Sequence, residues 1–302
     1  MLEHAYAKIN LGLNVLNKRT DGYHEVDMVM QTISLMDEIE IRKDDKLVVK
    51  TDNPDLEGGK NNLAYKAAIL LASRFNKKPL VHIYLKKNIF LAAGLAGGSS
   101  DAAAVLRGLN KFWKLNLSMD ELEVLAAELG SDVPFCIRGG TARATGRGEK
   151  LEALKDFPTT CVVLAKTKFE ISTAWVYQNY NKNQVLKHPN IDALTEAIQN
   201  KDAKIKKAIQ NETELDNRLS PFTCYMANVL ESVTMLKHPL ISSIEKDMLE
   251  LGAWFSMMSG SGPTVFGLVD TPEIGAKIID TLEKKYDVEV ALCETVKRSV
   301  EE

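Results

Sequence analysis

The chain predicts a two-domain α/β protein, and three observations lead there. Its 302 residues are 45% hydrophobic and 26% charged, a globular composition long enough for one large or two medium cores. In the first half a strand runs straight into a glycine-rich loop and then a helix. Towards the end the periodicities read helix, strand, strand, helix, strand. The strand pattern restarts with T-C-V-V-L-A-K after Phe157 and Pro158, which divides the chain into domains 1–158 and 159–302.

Residues 5–16, A-Y-A-K-I-N-L-G-L-N-V-L, alternate as a strand and place Lys8 and Asn10 on one face, because strand side chains repeat every two residues. Asp21 and Gly22 mark a turn. Residues 26–41 are strand-like again, 47–51 add a strand before Gly58 and Gly59, and 61–75 have helical periodicity. A strand at 80–85 leads into the glycine loop, which opens a helix at about 99–113. A second helix at 118–129 has S-M-D-E as a capping start and Gly130 as a stop. Residues 131–150 read as a loop, a short buried strand and a hairpin. The polar tract 179–210 reads as solvated helices and loops. The closing block has helices at 242–251 and 272–286 and strands at 254–258, 264–269 and 288–293.

Charge and cysteine usage narrow the function. A net charge of -3 and a pI near 6.0 offer no basic excess for a nucleic-acid backbone or an anionic membrane, so a small-molecule substrate is expected. Cys136, Cys161, Cys224 and Cys293 lack any C-x-x-C spacing and indicate neither a zinc site nor a disulfide framework. With no signal-like N-terminus and no apolar run of membrane length, a cytoplasmic protein is expected.

Two glycine clusters carry chemistry. L-A-A-G-L-A-G-G-S-S-D-A-A at 91–103 lets backbone amides approach a phosphate, and the helix that follows offers unpaired N–H groups at its positive end. It is neither G-x-x-x-x-G-K-[ST] nor G-x-G-x-x-G, and taken alone a turn packing a helix on a sheet explains it equally well. It also lacks a lysine, so a positive charge must come from elsewhere. M-S-G-S-G-P-T-V at 258–265 lies between two strands and, alone, reads as a glycine-rich hairpin.

Together with A-Y-A-K-I-N-L near the start, A-A-G-L-A-G-G-S-S-D-A-A and S-G-S-G-P-T-V resemble the three motifs of the GHMP family of small-molecule kinases, in order and approximate spacing. D-G-Y-H at 21–24, G-S-D-V-P-F at 130–135 and G-R-G-E at 146–149 resemble the branch that acts on 4-diphosphocytidyl-2-C-methyl-D-erythritol in non-mevalonate isoprenoid synthesis. The resemblance implies an N-terminal domain built like a ribosomal-protein sheet with a left-handed crossover, and a ferredoxin-like C-terminal domain. It further implies ATP-dependent phosphorylation of the tertiary 2-hydroxyl, with ATP as co-substrate, magnesium accompanying it, no nucleic acid or membrane partner, and a monomer or homodimer.

The family's catalytic aspartate falls on Asp132 and its lysine on Lys8. An alcohol attacking a γ-phosphate needs a carboxylate to orient it and take its proton, and the loose transition state needs charge neutralised around it. An ordinary aspartate, of pKa about 3.9, is a weak base for an alcohol, so the proton moves late. Read without the family, Asp132 is a helix N-cap and Lys8 a snorkelling strand lysine.

The resemblance places the ATP loop on Phe90, Leu91, Ala92, Ala93, Gly94, Leu95, Ala96, Gly97, Gly98, Ser99 and Ser100. Asn62 and Lys87 match positions near the adenine, Lys87 being equally readable as a solvent-facing strand end. Ser100 is the candidate for helping to organise magnesium. Asn10, Tyr23, His24 and Tyr177 match substrate positions, with aromatic rings stacking the cytosine and His24 bonding its edge; core packing of Tyr177 with Trp175 is the alternative. Two positions depart from the family: Phe90 replaces a common proline, and Ala96 replaces a common glycine, which predicts an ordinary negative φ there. Another GHMP kinase, of mevalonate or homoserine type, or a nucleotide binder without catalysis, is the competing reading.

Overall fold

The computed structural model describes residues 1–200 and 225–298, so the polar tract at 179–210 is seen in part and Cys224 lies outside the described residues. Two compact units are each assembled from separated segments. Unit 1 holds Met1–Lys8, Ser34–Leu91 and Ala96–Gly139; unit 2 holds Ile9–Ile33, Ala92–Leu95 and the described part of Gly140–Glu302. The long strands β1 (Leu2–Lys18) and β2 (His24–Lys43) each contribute to both.

In unit 1, Glu38–Lys43 of β2 pair antiparallel with β4 (Val81–Lys86), and β3 (Val48–Thr51) pairs parallel with β4. A parallel pair requires a crossover. Helix α1 (Leu63–Arg74) supplies it, started by Asn62, whose side chain accepts from the Ala64 amide at 2.9 Å. Next come α2 (Gly97–Phe112), α3 (Met119–Ala126) and α4 (Val133–Arg138). Small residues let α2 press on its neighbours: Ala102, Ala103 and Ala104 are fully buried, and a Cβ on Gly108 would stand 2.5 Å from Ile41 Cδ1. The core joins Ile39, Ile41, Ile83 and Leu85 of the sheet to Leu71, Leu106 and Leu109 of the helices.

The S-M-D-E start of α3 is a complete capping box between Ser118 and Glu121. The short buried strand expected within 131–150 is instead helix α4. Pro134 in its first turn suits a helix start, and V-P-F-C-I-R is too short for periodicity to separate helix from strand.

In unit 2, Val26–Gln31 of β2 pair with β5 (Thr141–Gly146), which forms the expected hairpin with β6 (Lys150–Ala153). After β7 (Cys161–Thr167) come α5 (Thr173–Asn179), α6 (Ile191–Gln199), α7 (Glu231–Lys237) and α8 (Leu240–Glu250). Then follow β8 (Phe255–Met258), β9 (Thr264–Val269), α9 (Pro272–Lys285) and β10 (Val288–Glu294). The second sheet has the order β10-β7-β9-β8, antiparallel throughout, which is the ferredoxin-like arrangement. Val163, Leu164, Phe266 and Leu268 are buried in its strands, as are Ile244, Met248, Ile278 and Leu282 in α8 and α9. Among the described residues no helix is long and apolar enough to cross a membrane.

Candidate active site

The expected charged pair forms in unit 1. Lys8 Nζ lies 3.6 Å from Asp132 Oδ2, with the lysine side chain 5% and the aspartate 31% exposed. Asp132 occupies the N-cap position of α4, yet its side chain makes no capping bond; the carboxylate is turned to Lys8 instead. Arg107 of α2 holds the surrounding backbone. Its guanidinium donates to Cys136 O and His4 O at 2.7 Å each and pairs with Glu3 at 3.3 Å, so one side chain ties α4 and β1 to α2. Ser100 Oγ donates to Tyr6 O at 2.6 Å, a further link from α2 to the strand that carries Lys8. Burial, reinforced by the charge of Asp132, pushes the Cys136 thiol up to about 12, which keeps it protonated and unreactive beside the pair.

The glycine loop leads into α2 as expected. Phe90 and Leu91 are half-buried, Ala92 is exposed, and Ala93 and Leu95 are buried. Ala96 is the N-cap of α2, without a side-chain cap bond. Ser100 N already donates to Ala96 O, which leaves Gly97, Gly98 and Ser99 as first-turn amides free to face a ligand. Gly98 is exposed, and an added Cβ would meet only Leu63 Cδ1 at 3.8 Å. Ala96 corrects the expectation of a negative φ: it has φ +61° and ψ 26°, the left-handed conformation. The chain turns into α2 through that conformation against the preference of the methyl group.

Within unit 2 the two glycine motifs touch. Ser259 Oγ donates to Gly94 O at 3.1 Å, and a Cβ on Gly94 would come within 2.3 Å of Ser259 O. Asn228 braces the second motif by donating to Met258 O and Gly260 O at 2.9 and 2.7 Å. Thr173 and Ser261 share a hydroxyl bond of 2.8 Å. The stretch is therefore a β-hairpin, as its local sequence reads, and also a seat for the first loop.

Lys87 corrects one reading. It is not a solvent-facing strand end, because its ammonium donates to both Asp37 and Asp101, at 2.6 Å for Asp101, and its side chain is 2% exposed. Burial pushes the Asp101 carboxyl up to about 7, with Lys87 acting against that shift. Asn62 is likewise engaged: its oxygen caps α1 and its amide donates to Glu57 O at 3.0 Å. Sequence reasoning missed Asp37 and Asp101. The signal for Asp101 was present, an acidic residue between the G-G-S-S start of α2 and its buried alanines, but nothing in the local pattern names its partner.

The aromatic residues lie in unit 2. His24 and Tyr177 are ring neighbours, 5.3 Å between centroids with a 32° tilt. Trp175 takes Lys237 Nζ over its face at 4.2 Å. Burial, then the charge of Lys18, lowers the His24 imidazole below its ordinary value and favours the neutral ring, one nitrogen donating and the other accepting. Tyr23 is 53% exposed and carries the guanidinium of Arg147, from the G-R-G-E hairpin, 4.9 Å from its centroid. Asn10 is buried and donates to Met28 Sδ at 3.3 Å. Among the described residues no group of three or more His, Cys, Asp or Glu side chains is gathered to hold a metal ion.

Comparison with known proteins follows the same lines. Residues 62–140 match the GHMP kinases N terminal domain and residues 196–288 the GHMP kinases C terminal domain. A protein of Bacillus pumilus named 4-diphosphocytidyl-2-C-methyl-D-erythritol kinase is 51% identical over 271 residues, covering 89% of this chain and 88% of that protein. One of the same name from Bacillus mycoides is 49% identical over the same coverage. Among solved structures, a 4-(cytidine 5'-diphospho)-2C-methyl-D-erythritol kinase superposes with a TM-score of 0.78 at 30% identity, covering 98% of this chain and 99% of that one. A homoserine kinase from Cytophaga hutchinsonii reaches 0.72 at 17% identity over 98% and 95%, a likeness of fold alone.

Proposed function

Because the chain belongs to the GHMP kinases, we propose that it transfers the γ-phosphoryl group of ATP to the 2-hydroxyl of 4-diphosphocytidyl-2-C-methyl-D-erythritol, giving the 2-phosphate and ADP. The relatives of about 50% identity bear the name of that activity. The observation that carries the chemistry is the Lys8–Asp132 pair, a buried ammonium 3.6 Å from a partly exposed carboxylate.

In this reading the 2-hydroxyl donates its proton to Asp132 as its oxygen bonds to the γ-phosphorus and the bond to the β-phosphate oxygen breaks. Lys8 offsets negative charge on Asp132 and on the phosphoryl oxygens, where electrostatic stabilisation contributes most. The amides of Gly97, Gly98 and Ser99 receive phosphate oxygens. Magnesium would come with ATP and neutralise phosphate charge; the hydroxyl of Ser100 donates to Tyr6 O and keeps its oxygen lone pairs, so it remains the residue that would help to hold the ion or its water. His24, Tyr177 and Tyr23 bind the cytidine end, Asn10 the region beside it, Asn62 belongs to the adenine side and Phe90 to the entry of the ATP loop. The division into domains 1–158 and 159–302 and a cytoplasmic location are part of the same proposal. The family matches at 62–140 and 196–288 fall on either side of that cut.

The test is ADP release by purified protein with magnesium and ATP against a panel of alcohols. Release is expected with 4-diphosphocytidyl-2-C-methyl-D-erythritol; turnover of mevalonate or homoserine in its place would sink the proposal.

A further inference from the structure

The segment from Lys87 to Asp101 is fastened at both ends to one carboxylate. At the entry, the Asn88 and Ile89 amides donate to Asp37 Oδ1 at 2.6 and 2.8 Å. The Lys87 amide donates to Asp52 Oδ1 at 2.9 Å. At the exit, the Lys87 ammonium joins Asp37 Oδ2 to Asp101 Oδ2, and Asp101 belongs to the first turns of α2. None of the three side chains is more than 2% exposed.

Such a cluster is a poor way to gain stability. Desolvating ions offsets most of their attraction, and apolar residues of similar size commonly do as well. What the cluster does provide is fixed geometry. Between its two ends the backbone holds two left-handed alanines, Ala92 at φ +49° and Ala96 at φ +61°. Non-glycine residues keep such conformations only where their surroundings over-determine them. Immediately after Ala96 come the unpaired amides of Gly97, Gly98 and Ser99, whose use depends on their direction.

We propose that Asp37, Lys87 and Asp101 form a buried clasp that closes both ends of the glycine loop and presets the Gly97–Ser99 amides for the nucleotide's phosphates. Lys87 is thus a positioning residue for ATP rather than one of its ligands. The proposal rests on reading residues 90–100 as the ATP loop.

Asp101→Ala cuts the exit half and leaves the Lys87–Asp37 pair charge-balanced; Asp101→Asn keeps an acceptor for Lys87. The readouts are hydrogen–deuterium exchange of peptides spanning 88–101 without nucleotide, ADP affinity by calorimetry, and KM for ATP and for the alcohol. Asp101→Ala is expected to speed exchange in 88–101 selectively. It should weaken ADP and raise the ATP KM about tenfold, as when the competent loop is populated a tenth of the time. The alcohol KM should stay within about twofold, and Asp101→Asn should restore most of the loss. Unchanged exchange and ADP affinity in folded Asp101→Ala would overturn the clasp. So would Lys87→Met weakening ADP with loop exchange unchanged, because Lys87 would then be a direct ligand. Exchange and ADP binding need no alcohol, so they test the clasp even if the substrate assay fails.

Discussion

In unit 1, Lys8 meets Asp132 with a third of the carboxylate open to solvent, whereas Lys87 meets Asp37 and Asp101 with all three side chains sealed. The functional groups are the same. Access separates them: a carboxylate that water reaches can accept a proton from an arriving alcohol, and one locked between an ammonium and backbone amides can only hold shape. The first assembly has one carboxylate per lysine and the second has two, with burial pushing Asp101 up to about 7.

The largest expected effect is at the open pair. Asp132→Asn should lower kcat by about 10²–10⁴-fold, the usual worth of a positioned general base. ADP affinity should be nearly unchanged if Asp132 meets the alcohol, as proposed. Steady-state kinetics with calorimetry on the same preparation checks both. If Asp132→Asn kept its kcat while Asp101→Asn lost it, the roles assigned to the two clusters would be exchanged.

A smaller loss tests whether access also marks the binding residues of unit 2. Tyr177, half-buried against His24, should contribute a stacked face worth about 1–3 kcal/mol. Tyr177→Ala is expected to raise the alcohol KM by about 5- to 150-fold with a lesser change in kcat, the pattern of uniform binding. An unchanged KM would return Tyr177 to a packing role.

Much of this was legible in the sequence. Strands with strict alternation, the S-M-D-E cap and both glycine motifs were found where their patterns lie, because these signals are local. The residues Lys8 and Asp132 could be named only through the family resemblance, since a strand lysine and a residue at a helix start have commonplace readings. Lys87 was misplaced because its partners come from β2 and α2, 50 and 14 residues away in the chain. No periodicity reports such a meeting. Helix α4 was missed for the opposite reason, being too short to show any period. Ala96 was misjudged because residue preference was applied where the chain path decides.

Unit 2 holds a sealed cluster that uses a proton where Lys87 uses an ammonium. Glu231 of α7 accepts from the Met258 amide at 2.9 Å, and Glu245 of α8 faces it. Burial pushes Glu231 up to about 7; burial and then the charge of Glu231 push Glu245 up to about 10. An unfolded glutamate titrates near pH 4.3. Between that pH and the raised folded value the native state holds a proton that the unfolded state has released. The associated stability is full below the unfolded pKa and falls as pH rises, by up to about 1.4 kcal/mol per pH unit for each proton. Glu245→Gln needs no such proton, so its Tm should gain on the parent progressively from pH 5 to 9. A constant difference would mean that Glu245 is charged in the native protein.

The smallest effect asks whether the clasp or the loop's own residues fix the ATP loop. Ala96 and Gly94 both have left-handed backbones, at φ +61° and +74°. A methyl group at Gly94 would strike Ser259 O at 2.3 Å, whereas at Ala96 the methyl is already accommodated. Ala96 therefore bears only the intrinsic cost of its conformation, about 1–2 kcal/mol. Ala96→Gly removes that cost but gives the unfolded chain more freedom, an opposing term of about 0.4–1 kcal/mol. The net is a stabilisation of about 0–1.6 kcal/mol, a Tm rise of a few degrees at most. If Asp37, Lys87 and Asp101 set the direction of the Gly97–Ser99 amides, the ATP KM of Ala96→Gly should stay within about twofold of the parent, against the tenfold rise expected for Asp101→Ala. A matching rise in both variants would show that the stiffness of Ala96 shares the work of the clasp.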